Sequence, residues 1–258
     1  MSAEAPSRTP PPLPLLRTEL LKLSTTRMPW LVAAAVPSLT AVLALQPVLG
    51  AGRNGSPSIG TVGATLGVLD AMGRGSLAVL VLGVLAVTSD FRHQTVVTSL
   101  LQAPNRIQLI AAKAAAAVLL GFVLGIASAG VVTLVGVMTG ALRLDLLNAD
   151  IALRGLGLVW TYPLYALLGV AVGALLRGNQ PLAILLPLAW LVGAEPLASS
   201  ALPPAMAAWS LGGLTAALQN AGDLPFVLPV WSGAAALVTI TLLLLLAGAQ
   251  HLNHHDIS

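Results

Sequence analysis

Long apolar stretches, separated by short polar segments, dominate the chain. Six of them reach the roughly 20 residues that a helix needs to cross a bilayer. They lie near residues 30–50, 65–89, 110–138, 153–176, 181–202 and 226–249. Stretches such as TITLLLLLAGA are continuously apolar rather than alternating, which argues against a membrane barrel. Because backbone groups in lipid must bond to one another, we predict six transmembrane helices and an all-α fold.

The composition supports a membrane protein with one transmembrane domain, residues 28–250. Only 8% of the residues are charged and 57% are hydrophobic, and the mean hydropathy is +0.91. A soluble domain carries about 25% charged residues, because its surface faces water. Most of this protein's surface is therefore expected to face lipid. The chain has no cysteine, which excludes disulfides and thiolate sites.

Lysine and arginine near the ends of the predicted spans indicate the orientation. One side of the membrane collects Arg17, Lys22, Arg27, Arg92, Arg106, Lys113 and Arg177, and the other collects Arg53, Arg74, Arg143 and Arg154. This bias predicts that both termini are cytoplasmic and that the chain lies in the plasma membrane. No aromatic residues interleave with the basic ones, so we predict no binding of nucleic acid.

Both ends of the chain are polar. Residues 1–12 are rich in proline and are predicted to form a disordered cytoplasmic tail rather than a signal peptide. Residues 251–258 are predicted to form a second cytoplasmic tail. It holds His251, His254 and His255. His251 and His255 are spaced for one helix face and so for a metal site, but a solvated tail is the preferred interpretation.

Residues 13–27 are predicted to form an amphipathic helix at the inner membrane surface. Its apolar positions have helical spacing and its basic residues lie between them; the residues concerned are Leu13, Leu16, Leu20 and Leu23, with Arg17, Lys22 and Arg27. The alternative is a cytoplasmic extension of the first span. Pro29 supplies a break between the two segments and favours the surface helix.

Few ionisable residues lie inside the predicted spans. Asp70 and Arg74 are four residues apart near the outer end of the second span, and we expect a structural or solvated ion pair there. Glu195, beside Pro196, is expected at the outer mouth. Known catalytic motifs are missing. Neither lysine, Lys22 or Lys113, follows a glycine as a P-loop requires, and no G-x-S-x-G or H-E-x-x-H occurs, so we predict neither an enzyme nor a bound cofactor.

Two further features leave alternatives open. The glycine pairs Gly121/Gly125, Gly136/Gly140 and Gly169/Gly173 allow helices to approach closely, either within one chain or between two copies. The apolar segment 202–225 between the fifth and sixth spans is either a short helix that dips into the outer leaflet or a surface helix.

The connection between the second and third spans, residues 89–106, is the longest one on the cytoplasmic side. It begins SDFRHQT, in which Asp90 is suited to cap a short helix, and Pro104 marks the end of that helix. A short stiff helix joined directly to two spans is suited to transmit force. Phe91 is a candidate anchor for a partner, and Arg92 is a candidate ion-pair donor.

With this connection and the order of its spans, the whole chain resembles the permease subunits of ATP-binding-cassette (ABC) exporters of the type-2, six-helix class. Members commonly show an acidic residue, an aromatic residue, an arginine and a Gly-Thr pair, then a leucine-rich stretch and two basic residues entering the third span. The matching residues are Asp90, Phe91, Arg92, His93, Gln94 and Thr95, then Leu100, Leu101, Arg106 and Lys113. Two departures are Asp90 for the usual glutamate and Gln94 for the usual glycine.

The resemblance implies that this connection is the coupling helix, which rests in a groove of a separate ATPase subunit. The residues assigned to that contact are Asp90, Phe91, Arg92, His93, Gln94, Thr95 and Arg106. It also implies two ATPase subunits that bind ATP and Mg, and a second permease, either another copy or a homologous chain. The few charges in the spans point to a hydrophobic or amphipathic substrate.

Two other functions compete with this expectation. One is a membrane scaffold or sensor that does not transport and anchors a cytoplasmic partner through residues 89–106. The other is a secondary transporter driven by ions. The secondary transporter is less favoured, because its ion sites usually recruit charged groups or broken helices in repeated halves, and the chain has no convincing internal repeat.

Overall fold

The structure is a computed structural model that describes residues 16–18, 21, 27–53, 55–92, 106–143, 149–176, 179–221 and 228–253. Their elements are α1 (Arg27–Leu49), α2 (Val62–Arg92), α3 (Arg106–Met138), α4 (Ala149–Leu175), α5 (Gln180–Leu188), α6 (Glu195–Ala201), α7 (Pro204–Ala207), α8 (Leu211–Leu218) and α9 (Val230–Asn253). A π-helical segment, Ala189–Ala194, joins α5 to α6. These residues contain no strand, so the predicted all-α class is confirmed for them.

Among the described residues, four helices are long and apolar enough to cross a bilayer. Their apolar spans are Val62–Thr88, Gln108–Met138, Ala149–Leu175 and Val230–Gln250. Two shorter apolar helical stretches are Ala34–Leu49 and Pro181–Leu197. Each predicted span thus coincides with helix, and four of the six have the length and composition of a membrane span. These four helices indicate a membrane-embedded protein.

Helix α4 lies at the centre of the bundle. In its most apolar part 67% is buried, compared with 17% for α9. Its buried side chains contact α1, α2, α3, α8 and α9, and they include Leu158, Tyr162 and Val170. Contacts between neighbouring helices show that α1 and α3 run opposite to α2 and α4, so that consecutive long helices alternate in direction.

Glycines let the central helices touch backbone to backbone. A Cβ placed on Gly83 of α2 would collide with the carbonyl oxygen of Ala166, and one on Gly169 of α4 would collide with that of Leu80. On the other side of α4, a Cβ at Gly121 would lie 2.6 Å from the Cα of Pro163. Two of the three predicted glycine pairs, Gly121/Gly125 and Gly169/Gly173, therefore pack against helices of the same chain.

The third pair plays a different part. Gly140 adopts a positive φ of 69°, which favours glycine, in the turn that ends α3. A Cβ at Gly136 would lie 2.6 Å from the Cβ of Leu142, so Gly136 makes room for the chain as it folds back after that turn.

The surfaces of α3 and α9 are rich in exposed aliphatic side chains. Val123, Ile126 and Leu134 of α3 are 61%, 64% and 59% exposed, and Leu243 and Leu246 of α9 are 60% and 55% exposed. Faces of this kind are stable only under lipid or another apolar surface. Their position on the outside of the bundle agrees with a helical protein surrounded by lipid.

The segment between α6 and α9 folds back against α4. Helix α8 buries Leu214, Ala217 and Leu218, and a Cβ on Gly157 of α4 would collide with the carbonyl oxygen of Leu218. Because Gly157 lies well inside the apolar span Ala149–Leu175, α8 packs beside the membrane-length part of α4. This packing agrees with a helix that dips into the outer leaflet, which stays a prediction.

Candidate functional site

The predicted coupling residues lie at the ends of the two longest helices. Helix α2 continues through Asp90 and Phe91 to Arg92, and Arg106 is the first residue of α3. Asp90 therefore lies within α2, because α2 extends one turn further than the predicted span. The short helix that Asp90 is predicted to cap lies outside the described residues. The other three coupling residues, His93, Gln94 and Thr95, lie outside the described residues, as does the rest of the connection up to residue 105.

The predicted surface helix is described only in part. Leu16 and Arg17 are helical, with Leu16 half-buried and Arg17 exposed. Arg27 is the first residue of α1. The remaining residues of the prediction lie outside the described residues: Leu13, Leu20, Lys22 and Leu23.

Helices α2 and α3 are tied together close to the predicted coupling segment. Lys113 of α3 is buried, and its Nζ lies 3.4 Å from the carbonyl oxygen of Ala86 in α2. A lysine is rarely buried to this extent unless its ammonium group has partners. The contact therefore joins α2 and α3 near the two helix ends that residues 93–105 connect.

Asp70 forms an ion pair with a different partner from the one predicted. The Nη2 and Nε atoms of Arg154 in α4 donate to Oδ1 of Asp70, at 2.7 and 3.2 Å. The side chain of Arg154 is 8% exposed and that of Asp70 is 45% exposed. The predicted pair of Asp70 with Arg74 is wrong, because the carboxylate turns toward α4 and is held there by two charge-assisted hydrogen bonds.

Arg74 caps a carbonyl group that a proline leaves without its helical partner. Pro47 in α1 has no N–H, so the carbonyl oxygen of Leu43, four residues earlier, lacks the usual hydrogen bond. The Nη2 atom of Arg74 lies 3.4 Å from that oxygen. Arg74 is exposed and lies near the middle of the apolar span Val62–Thr88. Its position near the outer side of the membrane stays a prediction.

Two tyrosines of α4 connect it to three other helices. The hydroxyl of Tyr162 donates to the carbonyl oxygen of Met72 in α2 at 3.2 Å and lies 3.4 Å from Thr40 Oγ1 in α1. The hydroxyl of Tyr165 lies 3.2 Å from Thr215 Oγ1 in α8. Both tyrosines are buried. Each hydroxyl therefore has a partner, as a buried polar group requires.

Gln219, which follows α8, adds a further polar contact to α4. Its Nε2 donates to Thr161 Oγ1 at 3.1 Å. The amide also lies beside α2, since a Cβ on Gly73 would be 3.5 Å from it. With the Tyr165–Thr215 contact, this hydrogen bond holds α8 along one face of α4.

Glu195 is buried rather than open to the surroundings. Its Oε1 accepts a hydrogen bond from the backbone N–H of Gly212, in the first turn of α8, at 2.8 Å. Its Oε2 is buried and has no hydrogen-bond partner among the described residues. The neighbouring N–H, that of Gly213, is capped by Ser210 Oγ at 3.1 Å. The carboxylate therefore stabilises the start of α8, where unpaired N–H groups favour negative charge.

The sequence alone did not identify most of these contacts. The charge pattern marks Arg154 only as a basic residue near the end of a span, and it gives no partner for Tyr162, Tyr165 or Gln219. One usable signal was the polar run Thr161, Tyr162 and Tyr165 inside an apolar span, because polar groups there need partners.

The site offers hydrogen bonds and charge but no assembled metal ligands. No group of three or more His, Asp or Glu side chains that could hold a metal ion occurs in the part of the chain that the structure describes. Of the C-terminal histidines, His251 lies in α9, with its side chain outside the description, and His254 and His255 lie beyond it. Comparison with protein-family models and with curated proteins finds no match to this chain.

Proposed function

We propose that this chain is the permease subunit of an ATP-driven exporter of the ABC type-2 class. In this proposal the chain forms the translocation pathway for a hydrophobic or amphipathic substrate. It pairs with a second copy or a homologous permease, and with two ABC ATPase subunits that bind ATP and Mg. The chain itself binds no nucleotide and catalyses no reaction.

The observation that carries the proposal is the continuity of α2 and α3. They contain 31 and 33 residues, and each runs without interruption to one end of residues 93–105. At 1.5 Å per residue each is roughly 45–50 Å long, whereas the hydrocarbon core is about 30 Å thick. A displacement of the connecting segment by a partner would therefore move two rigid helices that cross the bundle.

The packing of α2 offers a path from that segment to the rest of the bundle. Lys113 links α3 to α2, and the second half of α2 packs backbone to backbone on α4 around Gly83 and Gly169. Close-packed helices move as a unit, because their interface cannot deform gradually. A partner that binds more tightly to one position of the segment would shift the bundle toward the corresponding state.

The proposal includes six transmembrane helices with both termini in the cytoplasm. Helix α1 has 23 residues, and α5, the π-helical segment and α6 run together from Gln180 to Ala201. Both lengths match a bilayer. With α2, α3, α4 and α9 they make six spans, and an even number returns the chain to its starting side. The excess of Lys and Arg at the end of α2 and the start of α3 assigns that side to the cytoplasm of the plasma membrane.

An ion-driven secondary transporter is the second candidate, and one observation favours it. Glu195 is a buried carboxylate, one oxygen of which has no hydrogen-bond partner in the described part of the chain, and it follows directly on the π-helical segment Ala189–Ala194. Ionisable groups at membrane depth and π-helical segments both occur often at functional sites. The hydrogen bond to Gly212 gives Glu195 a structural role as well, so this candidate ranks below the exporter.

A topology experiment tests the position of the coupling segment. Because the chain has no cysteine, Ser56→Cys, between α1 and α2, and Ser99→Cys, in the connection after α2, are matched single-cysteine variants. In intact cells a membrane-impermeant thiol reagent should label the cysteine at 56 and leave that at 99 unlabelled until the cells are opened. Labelling at 99 in intact cells would put the segment outside and refute the proposal.

A second experiment tests the ATPase partner. We expect the full chain to copurify with an ABC ATPase encoded beside its gene, and vesicles containing both to transport only with ATP and Mg. Replacing Phe91 and Arg92 by alanine should reduce copurification at least tenfold without unfolding the bundle. Transport in vesicles of the permease alone, driven by an ion gradient, would favour the secondary transporter. A complex that forms but never transports would favour the scaffold.

A further inference from the structure

Arg74 is a charged side chain at the middle of an apolar span. It is exposed, and Val62–Thr88 extends by a similar length on either side of it. Among the described residues its side chain forms one hydrogen bond, to the carbonyl oxygen of Leu43 at 3.4 Å, and no ion pair. A guanidinium group has five N–H donors, so most of its capacity to bind an anion is unused.

Lipid chains are a poor surrounding for this group. Insertion of an arginine at the centre of a membrane helix is costly, because lipid chains offer the guanidinium group no hydrogen-bond partner. Long side chains avoid part of this cost by reaching toward the interface. The contact with Leu43 limits that reach. It holds the guanidinium group at the level of Leu43, which lies six residues, or about 9 Å, before the end of α1 at Leu49. The edge between α1 and α2 that carries Arg74 therefore faces a polar pathway or a partner.

The carboxylate nearest to Arg74 along α2 is already engaged. Asp70, one turn away, accepts two hydrogen bonds from Arg154. Arg74 therefore has no carboxylate partner among the described residues, and its remaining N–H donors can bind an anion from another molecule.

We propose that Arg74 is the recognition point for an anionic group, a phosphate or a carboxylate, on an amphipathic molecule held at the edge between α1 and α2. The guanidinium group binds such groups through two parallel hydrogen bonds. A molecule with an apolar tail places its anionic group at this depth while its tail contacts the exposed aliphatic side chains nearby. Two of these on α1 are Leu39 and Val42, which are 46% and 63% exposed.

As a statement about the exported substrate, the inference rests on the proposed function and narrows its substrate to anionic amphiphiles. As a binding site it depends only on the residues of this chain. The test therefore measures binding by the purified permease without ATP or ATPase. If the purified permease does not bind the anion, this inference is wrong and the exporter proposal stands. If transport in vesicles does not require ATP, the exporter proposal is wrong and the binding site stands.

The test uses the full chain in a neutral detergent and native mass spectrometry with added phosphatidic acid. We expect the first lipid to bind the wild type at least ten times more tightly than Arg74→Gln. Arg53→Gln, which removes the same charge from an exposed position between α1 and α2, should bind like the wild type. Phosphatidylcholine, whose headgroup has no net charge, should not distinguish the three proteins.

Further experiments distinguish a lipid headgroup from a free anion, and both from the absence of a site at Arg74. Displacement of phosphatidic acid by inorganic phosphate at equal concentration would support the site and identify a free anion as its ligand. Equal binding of phosphatidic acid by the wild type and Arg74→Gln would overturn the inference. So would a high yield of disulfide between two copies of Arg74→Cys, since that would put Arg74 at an interface between permeases.

A second measurement leaves Arg74 in place in case Arg74→Gln does not fold. In Ala78→Cys, the cysteine lies one turn from Arg74 at a half-buried position. Phosphatidic acid should slow its reaction with a thiol reagent at least threefold, and phosphatidylcholine should not. Equal rates with the two lipids would contradict a site at Arg74.

Discussion

The contact between α2 and α4 is built differently in its two halves. In the first half the helices are joined by polar side chains, through the Asp70–Arg154 ion pair and the hydrogen bond from Tyr162 to the carbonyl of Met72. In the second half they meet backbone to backbone at Gly83 and Gly169. The first half of the contact is chemically adaptable, and the second half is fixed in shape.

The difference separates two mechanical roles. A glycine contact tolerates almost no change, since any added atom meets backbone. A polar contact can exchange partners at a moderate energetic cost, because each group can bond to water or a ligand instead. The fixed half lies next to the predicted coupling segment, and the adaptable half lies beside Arg74. This arrangement suits a protein that receives movement at one end and changes its contacts at the other.

The largest effect is expected from adding a methyl group to the fixed half. In Gly83→Ala the new Cβ would collide with the carbonyl oxygen of Ala166, which is backbone and cannot rotate away. We expect the free energy of unfolding to fall by about 3 kcal/mol, at the upper end of the cost of overpacking. Thermal unfolding in detergent, followed by the loss of soluble protein, measures the change.

Gly130→Ala is the matched control for that variant. Gly130 lies in α3, and a Cβ there would have no neighbour within 4 Å. Alanine favours the helix over glycine by up to about 1 kcal/mol, so this variant should be as stable as the wild type or slightly more stable. If both alanine variants melt at the wild-type temperature, the close contact between α2 and α4 is not present in the protein.

The sequence predicted the helices but not their partners. Apolar length fixes where a helix lies in lipid, and each of the six predicted stretches coincides with helix. Which face of a helix meets which neighbour depends on contacts between residues far apart in the chain. Asp70 illustrates this: spacing favoured Arg74, four residues away, whereas the packing of α4 against α2 supplies Arg154.

The same limit applies to the candidate site. The depth of Arg74 follows from where α2 begins, at Val62 rather than at the predicted residue 65, and from how far it continues. Its contact with Leu43 depends on Pro47, which the sequence places in the first span. The sequence does not indicate which helix approaches the carbonyl oxygen that Pro47 leaves without a hydrogen bond. Glu195 likewise accepts its hydrogen bond from Gly212, which lies 17 residues later in the chain, and no local sequence pattern predicts that contact.

A double-mutant cycle on the ion pair should give the next largest effect. Arg154→Gln leaves the carboxylate of Asp70 without its partner, and we expect a loss of about 2 kcal/mol, less than for a fully buried pair because Asp70 is 45% exposed. Asp70→Asn should cost a similar amount. The double variant should cost less than the sum, with an interaction energy of about 1–2 kcal/mol. Strict additivity would mean that the two residues do not interact.

The smallest effect is expected from Tyr165→Phe, which removes the hydroxyl that contacts Thr215. The hydroxyl of Thr215 also donates to the carbonyl oxygen of Leu211 at 2.8 Å, so it keeps a partner and no buried group is left unsatisfied. The expected loss is therefore about 0.5–1 kcal/mol, the net worth of one neutral hydrogen bond. Thr215→Val in the Tyr165→Phe background should add little, because the contact is already lost. A loss above about 2 kcal/mol for Tyr165→Phe would mean that the hydroxyl holds α8 on α4 by more than this one contact.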